Sequence, residues 1–344
     1  AYEIPKRDWS SDVCSSDLTI YDGTPENPTE AAMRDALRIY KAEGCDGIIA
    51  IGGGSPMDLA KGVALMATHP GDSLQAYSMI EGGAARITAK VAPIVAIPTT
   101  SGTGSEVSRG GVIIMDSGHK LAIGSPHLIP RLALIDPELT MSLPPHLTAG
   151  TGMDAFTHNI ECFLSNAFNP PADGIALDGL DKAWRYVERA TKDGSDREAR
   201  YNMAMAAMEG AMVFQKGLGA VHALSHPTGG LKGYRTHHGT LNAIYLPAVL
   251  RFNEPAVGDK FRKVGQVMGL KESEQNAFAA RESGLYHTHK PVVSYDVSEL
   301  AEPLGAGEVS MWLMCAGLLG NVYFTLDRKS TRLNSSHVSE SRMP

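Results

Sequence analysis

The chain has 344 residues, enough for one large domain or two ordinary ones. A hydrophobic share of 43% with 20% charged residues excludes wholesale disorder. Thirty-one basic against 38 acidic residues give a net charge of −7, the wrong sign for gripping nucleic acid, and four cysteines without paired spacing exclude a disulfide scaffold and fit a reducing cytosol.

In chain order, residues 1–18 carry no apolar period, and neither do residues 327–344 at the other end. Both stretches resemble translated sequencing adapter. Asp327-Arg328-Lys329-Ser330 and Ser15-Ser16-Asp17 decode to opposite strands of one oligonucleotide. Both are therefore left outside the predicted domains.

Thr29 is placed to N-cap a helix from Glu30 to about Ala42, with Ala31, Ala32, Ala36, Leu37 and Tyr40 on one face. Gly47–Ile51 reads as a buried strand running into Gly52-Gly53-Gly54, and a helix is expected from Pro56 to Met66. Val91–Ile97, Gly111–Met115 and Leu132–Ile135 are further apolar runs. Strands alternating with helices imply a mostly parallel sheet covered by helices. Beyond Asp136-Pro137 the pattern is helical: Ala149–Phe163, Gly174–Ala190, Arg197–Gln215 and Gly217–Ser225. The predicted organisation is an α/β part over 19–140 and an all-α part over 141–271. Segment 272–326 is unmatched. Its uncharged run Val309–Leu326 reads as a buried helix or foreign sequence, because Ser310, Gly317, Gly320 and Asn321 interrupt it.

Three constellations carry chemistry. Gly52-Gly53-Gly54-Ser55-Pro56-Met57-Asp58 joins a strand to a helix, where glycines let backbone approach a pyrophosphate and the helix start supplies N–H donors. Pro98-Thr99-Thr100-Ser101-Gly102-Thr103-Gly104-Ser105-Glu106 follows another strand, the place where open α/β sheets bind ligands. Two such loops together favour a dinucleotide. The third is a metal-like set: Asp154 and His158 share one helical face, as do His222 and His226, and His238 follows a Gly-rich turn. One carboxylate with several imidazoles suits Fe or Zn. Spacing alone does not choose between His237 and His238.

With these residues in view, the sequence resembles the iron-containing (group III) alcohol dehydrogenases. The resemblance lies in Ile49–Asp58, Pro98–Glu106, Gly152–His158 and His222–Asn242, and it covers about Thr19 to Lys271. It implies an α/β dinucleotide-binding domain, here with an incomplete parallel sheet, followed by a truncated all-α metal-binding domain. It implies Asp154, His158, His222 and His238 as metal ligands, with His238 preferred because it precedes a glycine. His226 is implied as a proton-relay residue near the nicotinamide. Asn27, Gly53, Gly54, Ser55, Pro56, Asp58, Thr99, Thr100, Thr103 and Lys120 are implied cofactor contacts. The implied cofactors are NAD or NADP and Fe2+, with Zn2+ as the alternative. The implied reaction is hydride transfer between a small alcohol and its aldehyde or ketone, in the cytoplasm. No nucleic-acid or membrane partner is expected, and homo-oligomerisation is open. The alternatives are a glycerol-dehydrogenase-like or other enzyme of the same fold, or an inactive fragment.

Overall fold

The computed structural model describes residues 18–230, 236–257 and 259–270. The expectations for residues 1–17, for the 272–326 segment and for the stretch 327–344 lie outside the described residues. The chain divides into two units. One comprises the residues up to Pro98 together with Ser108–Leu134, and the other comprises Thr99–Val107 together with Ile135 onward.

The first unit is α/β. Helix α1 spans Glu30–Ala42, and Thr29 Oγ1 accepts the Ala32 N–H as its N-cap. Its buried side is Glu30, Ala32, Met33 and Ala36, whereas Ala31 is exposed. The expected face was therefore rotated, because the larger apolar side chain, Met33, takes the core position and not the small Ala31. Strand β1 is Ile48–Gly52 and helix α2 is Gly54–Met66. The helix starts two residues before the expected Pro56, which sits third in its first turn, where no intrahelical N–H is needed. Gly52 has φ of 144°, and a Cβ there would lie 2.7 Å from Pro56 Cγ. Only glycine makes this turn without strain.

Strand β2 is Ile94–Pro98 and β5 is Leu132–Ala133, and the order β1–β2–β5 is parallel throughout. Gly111–Met115 does not join that sheet. It forms β3, Gly110–Ile114, which pairs antiparallel with β4, Lys120–Gly124, in a separate two-stranded sheet. The hairpin closes through Gly118, with φ of 84°. In the sequence β3 reads as one more parallel strand, because nothing local marks β4 as its antiparallel partner.

The second unit is helical: α3 Pro145–Leu164, α4 Pro170–Lys192, α5 Arg197–Met212, α6 Ala220–Gly229, α7 His238–Val257 and α8 Lys260–Val267. Asn169 and Asp196 cap α4 and α5 through their side-chain oxygens. The core is rich in small residues, with Ala155, Ala176, Ala183, Ala206 and Ala207 buried beside Phe156, Phe163, Leu180 and Met203. Small side chains let helices approach closely, and buried Asn159 ties α3 to α5 by donating to Ala206 O. Residues 99–107 pack with this unit. A Cβ on Gly102 would lie 2.8 Å from Thr151 Cβ on α3, and one on Gly104 would collide with Ala211 on α5. Glycines were needed there for contact with helices. Among the described residues no helix is long and apolar enough to cross a membrane.

Candidate metal and cofactor sites

Helical spacing builds half of the metal-like cluster. Asp154 and His158 lie one turn apart on α3, and His222 and His226 lie one turn apart on α6. His238 opens α7, whose second residue, Gly239, rests on α3: a Cβ there would collide with the Gly150 carbonyl. That close approach is what carries His238 to Asp154. The result converges on one atom. His158 Nε2, His222 Nε2 and His238 Nε2 each lie 3.5 Å from Asp154 Oδ1. Donors about 2.1 Å from a tetrahedral ion are separated by about 3.4 Å, so these three distances are compatible with ligands around one ion. Ligand atoms of Asp154, His158 and His222 all lie within 4.8 Å of one another, and these three residues are buried.

The electrostatics favour positive charge at that point. Burial works to raise the Asp154 carboxyl, but the imidazoles around it, His158 foremost, hold it well below the usual carboxylate range. Burial pulls His158 down to about 4, against the pull of Asp154. Burial also works to lower His222, but Asp154 and Glu161 together hold it up to about 9. Two buried carboxylates, those of Asp154 and Glu161, thus face the imidazoles where a cation would be held. The donor set fits a divalent first-row ion.

Three further residues complete the cluster. His226 stacks on His238 with ring centroids 4.5 Å apart and lies 5.9 Å from the His222 ring. His237, which spacing could not separate from His238, lies instead against Gly150, with its Nδ1 3.4 Å from Thr240 Oγ1. Glu161 and Asn242 were missed in the sequence. Glu161 Oε2 lies 2.6 Å from His222 Nδ1. Asn242, fully buried, donates through Nδ2 to Asp154 Oδ1 at 2.8 Å. The available signal was spacing: Glu161 is seven residues beyond Asp154, and Asn242 is four beyond His238, so each shares a helical face with a ligand candidate.

The proposed cofactor residues fall in both units. In the first, Lys120 Nζ donates to Asn27 Oδ1 at 2.9 Å, and burial pulls the Lys120 ammonium below its usual value, opposed by Asp58. Ser55 Oγ donates to the Glu26 carbonyl. Asp58 Oδ2 accepts the Val112 N–H at 2.9 Å, so this carboxylate ties α2 to β3. Gly53 precedes α2, with Gly54, Ser55 and Pro56 in its first turn, which carries no acidic residue and no side-chain cap. Such a helix start has free N–H groups for an anion. Thr99, Thr100 and Thr103, all half-buried, lie in the second unit, where Thr103 Oγ1 accepts the Ser105 N–H at 3.3 Å.

Residues 10–137 match the family described as iron-containing alcohol dehydrogenase, and residues 148–290 match the C-terminal part of the Fe-containing alcohol dehydrogenase family. The chain belongs to the iron-containing alcohol dehydrogenases. This iron-containing alcohol dehydrogenase is 58% identical over 272 residues to a 4-hydroxybutyrate dehydrogenase of Cupriavidus necator, covering 77% of the chain and 71% of that protein. It is 36% identical to a 1,3-propanediol dehydrogenase of Citrobacter freundii, covering 89% of the chain and 79% of the relative. A crystal structure of a 1,3-propanediol oxidoreductase superposes with a TM-score of 0.72 at 34% identity, covering 86% and 83% of the two chains. The chain is accordingly an alcohol/aldehyde oxidoreductase. Iron and a nicotinamide dinucleotide are the cofactors consistent with this membership. The C-terminal match also runs past Lys271, into the segment that the sequence reading left unmatched.

Proposed function

We propose that Asp154, His158, His222 and His238 hold a ferrous ion, with Zn2+ as the alternative, and that the chain interconverts a short primary alcohol and its aldehyde with NAD or NADP. The observation that carries this reading is the convergence of three imidazole Nε2 atoms at 3.5 Å on one buried carboxylate oxygen. When bound, the ion supplies a Lewis acid for the substrate oxygen and the nicotinamide exchanges the hydride.

The chain's own residues do the rest. Asp154 and the three histidines fix the position of the reacting oxygen from a buried setting. His226, less buried than His222 and stacked on His238, passes the alcohol proton outward. Gly53, Gly54, Ser55 and Pro56 present the start of α2 to the pyrophosphate. Asp58 holds that helix against β3. Lys120, paired with Asn27, presents a donor to the nicotinamide ribose, and Asn27 is a further cofactor contact. Thr99, Thr100 and Thr103 supply the second cofactor loop.

The 58% identity to a 4-hydroxybutyrate dehydrogenase, against 36% to a propanediol enzyme, supports a short ω-hydroxy acid as substrate. Two unpaired thiols among the described residues, Cys45 and Cys162, support a reducing compartment such as the cytoplasm. The test is nicotinamide absorbance with 4-hydroxybutyrate and 1,3-propanediol, each with NAD and NADP, after chelation and after Fe2+ or Zn2+ is restored. Restoration of nicotinamide reduction by metal is the expected result. Equal turnover in the chelated and reloaded protein would remove the metal from the account.

A further inference from the structure

Glu161 is a carboxylate in the helical core, 5% exposed, on the same face of α3 as Asp154 and His158. Among the described residues its hydrogen bonds go to the first turn of α6. Oε1 accepts the Val221 N–H at 2.7 Å, and Oε2 faces His222 Nδ1 at 2.6 Å and the His222 N–H at 3.4 Å. Space for it is provided by Gly219, where a Cβ would lie 2.6 Å from Oε1. No side chain of the preceding residue caps α6, so Glu161 caps it from a different helix.

A carboxylate can only accept hydrogen bonds. The hydrogen at 2.6 Å therefore belongs to His222 Nδ1, whatever occupies the other ring nitrogen. Nε2, 3.5 Å from Asp154 Oδ1, is then the atom that meets the ion. We infer that Glu161 is a positioning residue for the metal, holding His222 in the Nδ1–H form so that Nε2 is presented as a ligand. This rests on the metal-site reading proposed above.

Glu161→Gln separates the positioning role from plain capping. The carboxylate accepts both the Val221 N–H and the His222 Nδ1–H. The two donors face different carboxylate oxygens, and an amide keeps an oxygen at only one of those places, so it can accept only one of them there. If its oxygen keeps Val221, its NH2 faces Nδ1 and drives the imidazole proton to Nε2, where it blocks the ion. Outer-shell changes of this kind typically cost 10- to 100-fold in metal affinity.

The experiment is a competition titration of the full chain with Zn2+ and Fe2+ against a chromogenic chelator, with thermal melts of the metal-free proteins and 15N spectra of labelled histidine. The proteins are wild type, Asp154→Asn, Glu161→Gln and Gly219→Ala, the last displacing the carboxylate without removing it. The inference expects 10- to 100-fold weaker binding in Glu161→Gln, a metal-free melting point close to wild type, and loss of the His222 Nδ1 proton. Gly219→Ala is expected to weaken binding in the same direction, and it decides the matter if Glu161→Gln does not fold. Unchanged affinity in both Glu161→Gln and Gly219→Ala, or in Gly219→Ala alone where Glu161→Gln does not fold, while Asp154→Asn loses the metal, overturns the role of Glu161 alone. Wild-type affinity in Asp154→Asn, or no binding by wild type, overturns the metal-site reading beneath it.

Discussion

Replacing Asp154 by Asn keeps the shape of the side chain and removes one buried charge. Oδ1 is the common neighbour of three imidazole nitrogens, each at 3.5 Å, so the loss falls at the centre of the cluster. Truncating one partner of a buried charge pair typically weakens binding by about 2–5 kcal/mol. At about 1.36 kcal/mol per tenfold change, that is a rise of roughly 30- to 5,000-fold in the metal dissociation constant. Asn242 already donates to Oδ1 at 2.8 Å, and an amide oxygen at position 154 can still accept that bond, so the fold is expected to persist. The assay is chelator competition, paired with circular dichroism to confirm helical content. A dissociation constant within threefold of wild type, in a folded protein, would refute the reasoning that this oxygen is the hub of the site.

Other consequences follow from particular contacts. Lys120→Ala and Asn27→Ala each break the 2.9 Å pair proposed to meet the cofactor, so each should raise the KM for the nicotinamide nucleotide about tenfold, with kcat within threefold; an unchanged KM in both would remove the pair from the cofactor site. Lys216→Met deletes a buried ammonium that donates to the Cys162, Phe163 and Ser165 carbonyls at the end of α3 and pairs with Asp173 at 2.9 Å. Lys260 still serves Phe163 and Ser165, so a loss of about 3 kcal/mol is expected, read as a fall on the order of 6–12 °C in Tm; a shift below 2 °C would contradict it. Burial holds the Glu209 carboxyl up to about 7, against Lys182 at 3.2 Å. Because this folded value lies above the ordinary one of 4.5, the group's contribution is fully present below about 4.5 and is lost as pH rises through 7. Glu209→Gln, neutral throughout, should therefore gain in Tm relative to wild type between pH 5 and pH 8, whereas a constant Tm difference over that window would show that Glu209 is not held neutral.

The parts of the fold legible in the sequence are those with local causes. Thr29 as a cap, the glycine turn after β1 and the helical runs from Pro145 onward all follow from near-neighbour chemistry. The metal candidates were legible for the same reason, because Asp154/His158 and His222/His226 are one-turn pairs. What escaped depends on partners distant in the chain. β3 reads like any buried strand until its antiparallel partner, Lys120–Gly124, is known. The 99–107 loop follows a strand of the sheet, yet its glycines fit against Thr151 and Ala211 of the helical unit. Glu161 looks like an ordinary helix-surface residue in the sequence. Only the arrival of α6 above Gly219, 58 residues later, makes it a buried partner of His222. His237 and His238 differ by one position, and the contact of Gly239 with α3 sends only the second to Asp154.

The metal assignment is tested most directly by anomalous diffraction at the iron edge on crystals of the Fe2+-loaded chain. The account predicts one strong peak within coordination distance of Asp154 Oδ1 and of the Nε2 atoms of His158, His222 and His238. A peak held by other residues, or one that leaves Asp154 outside coordination distance, would contradict it.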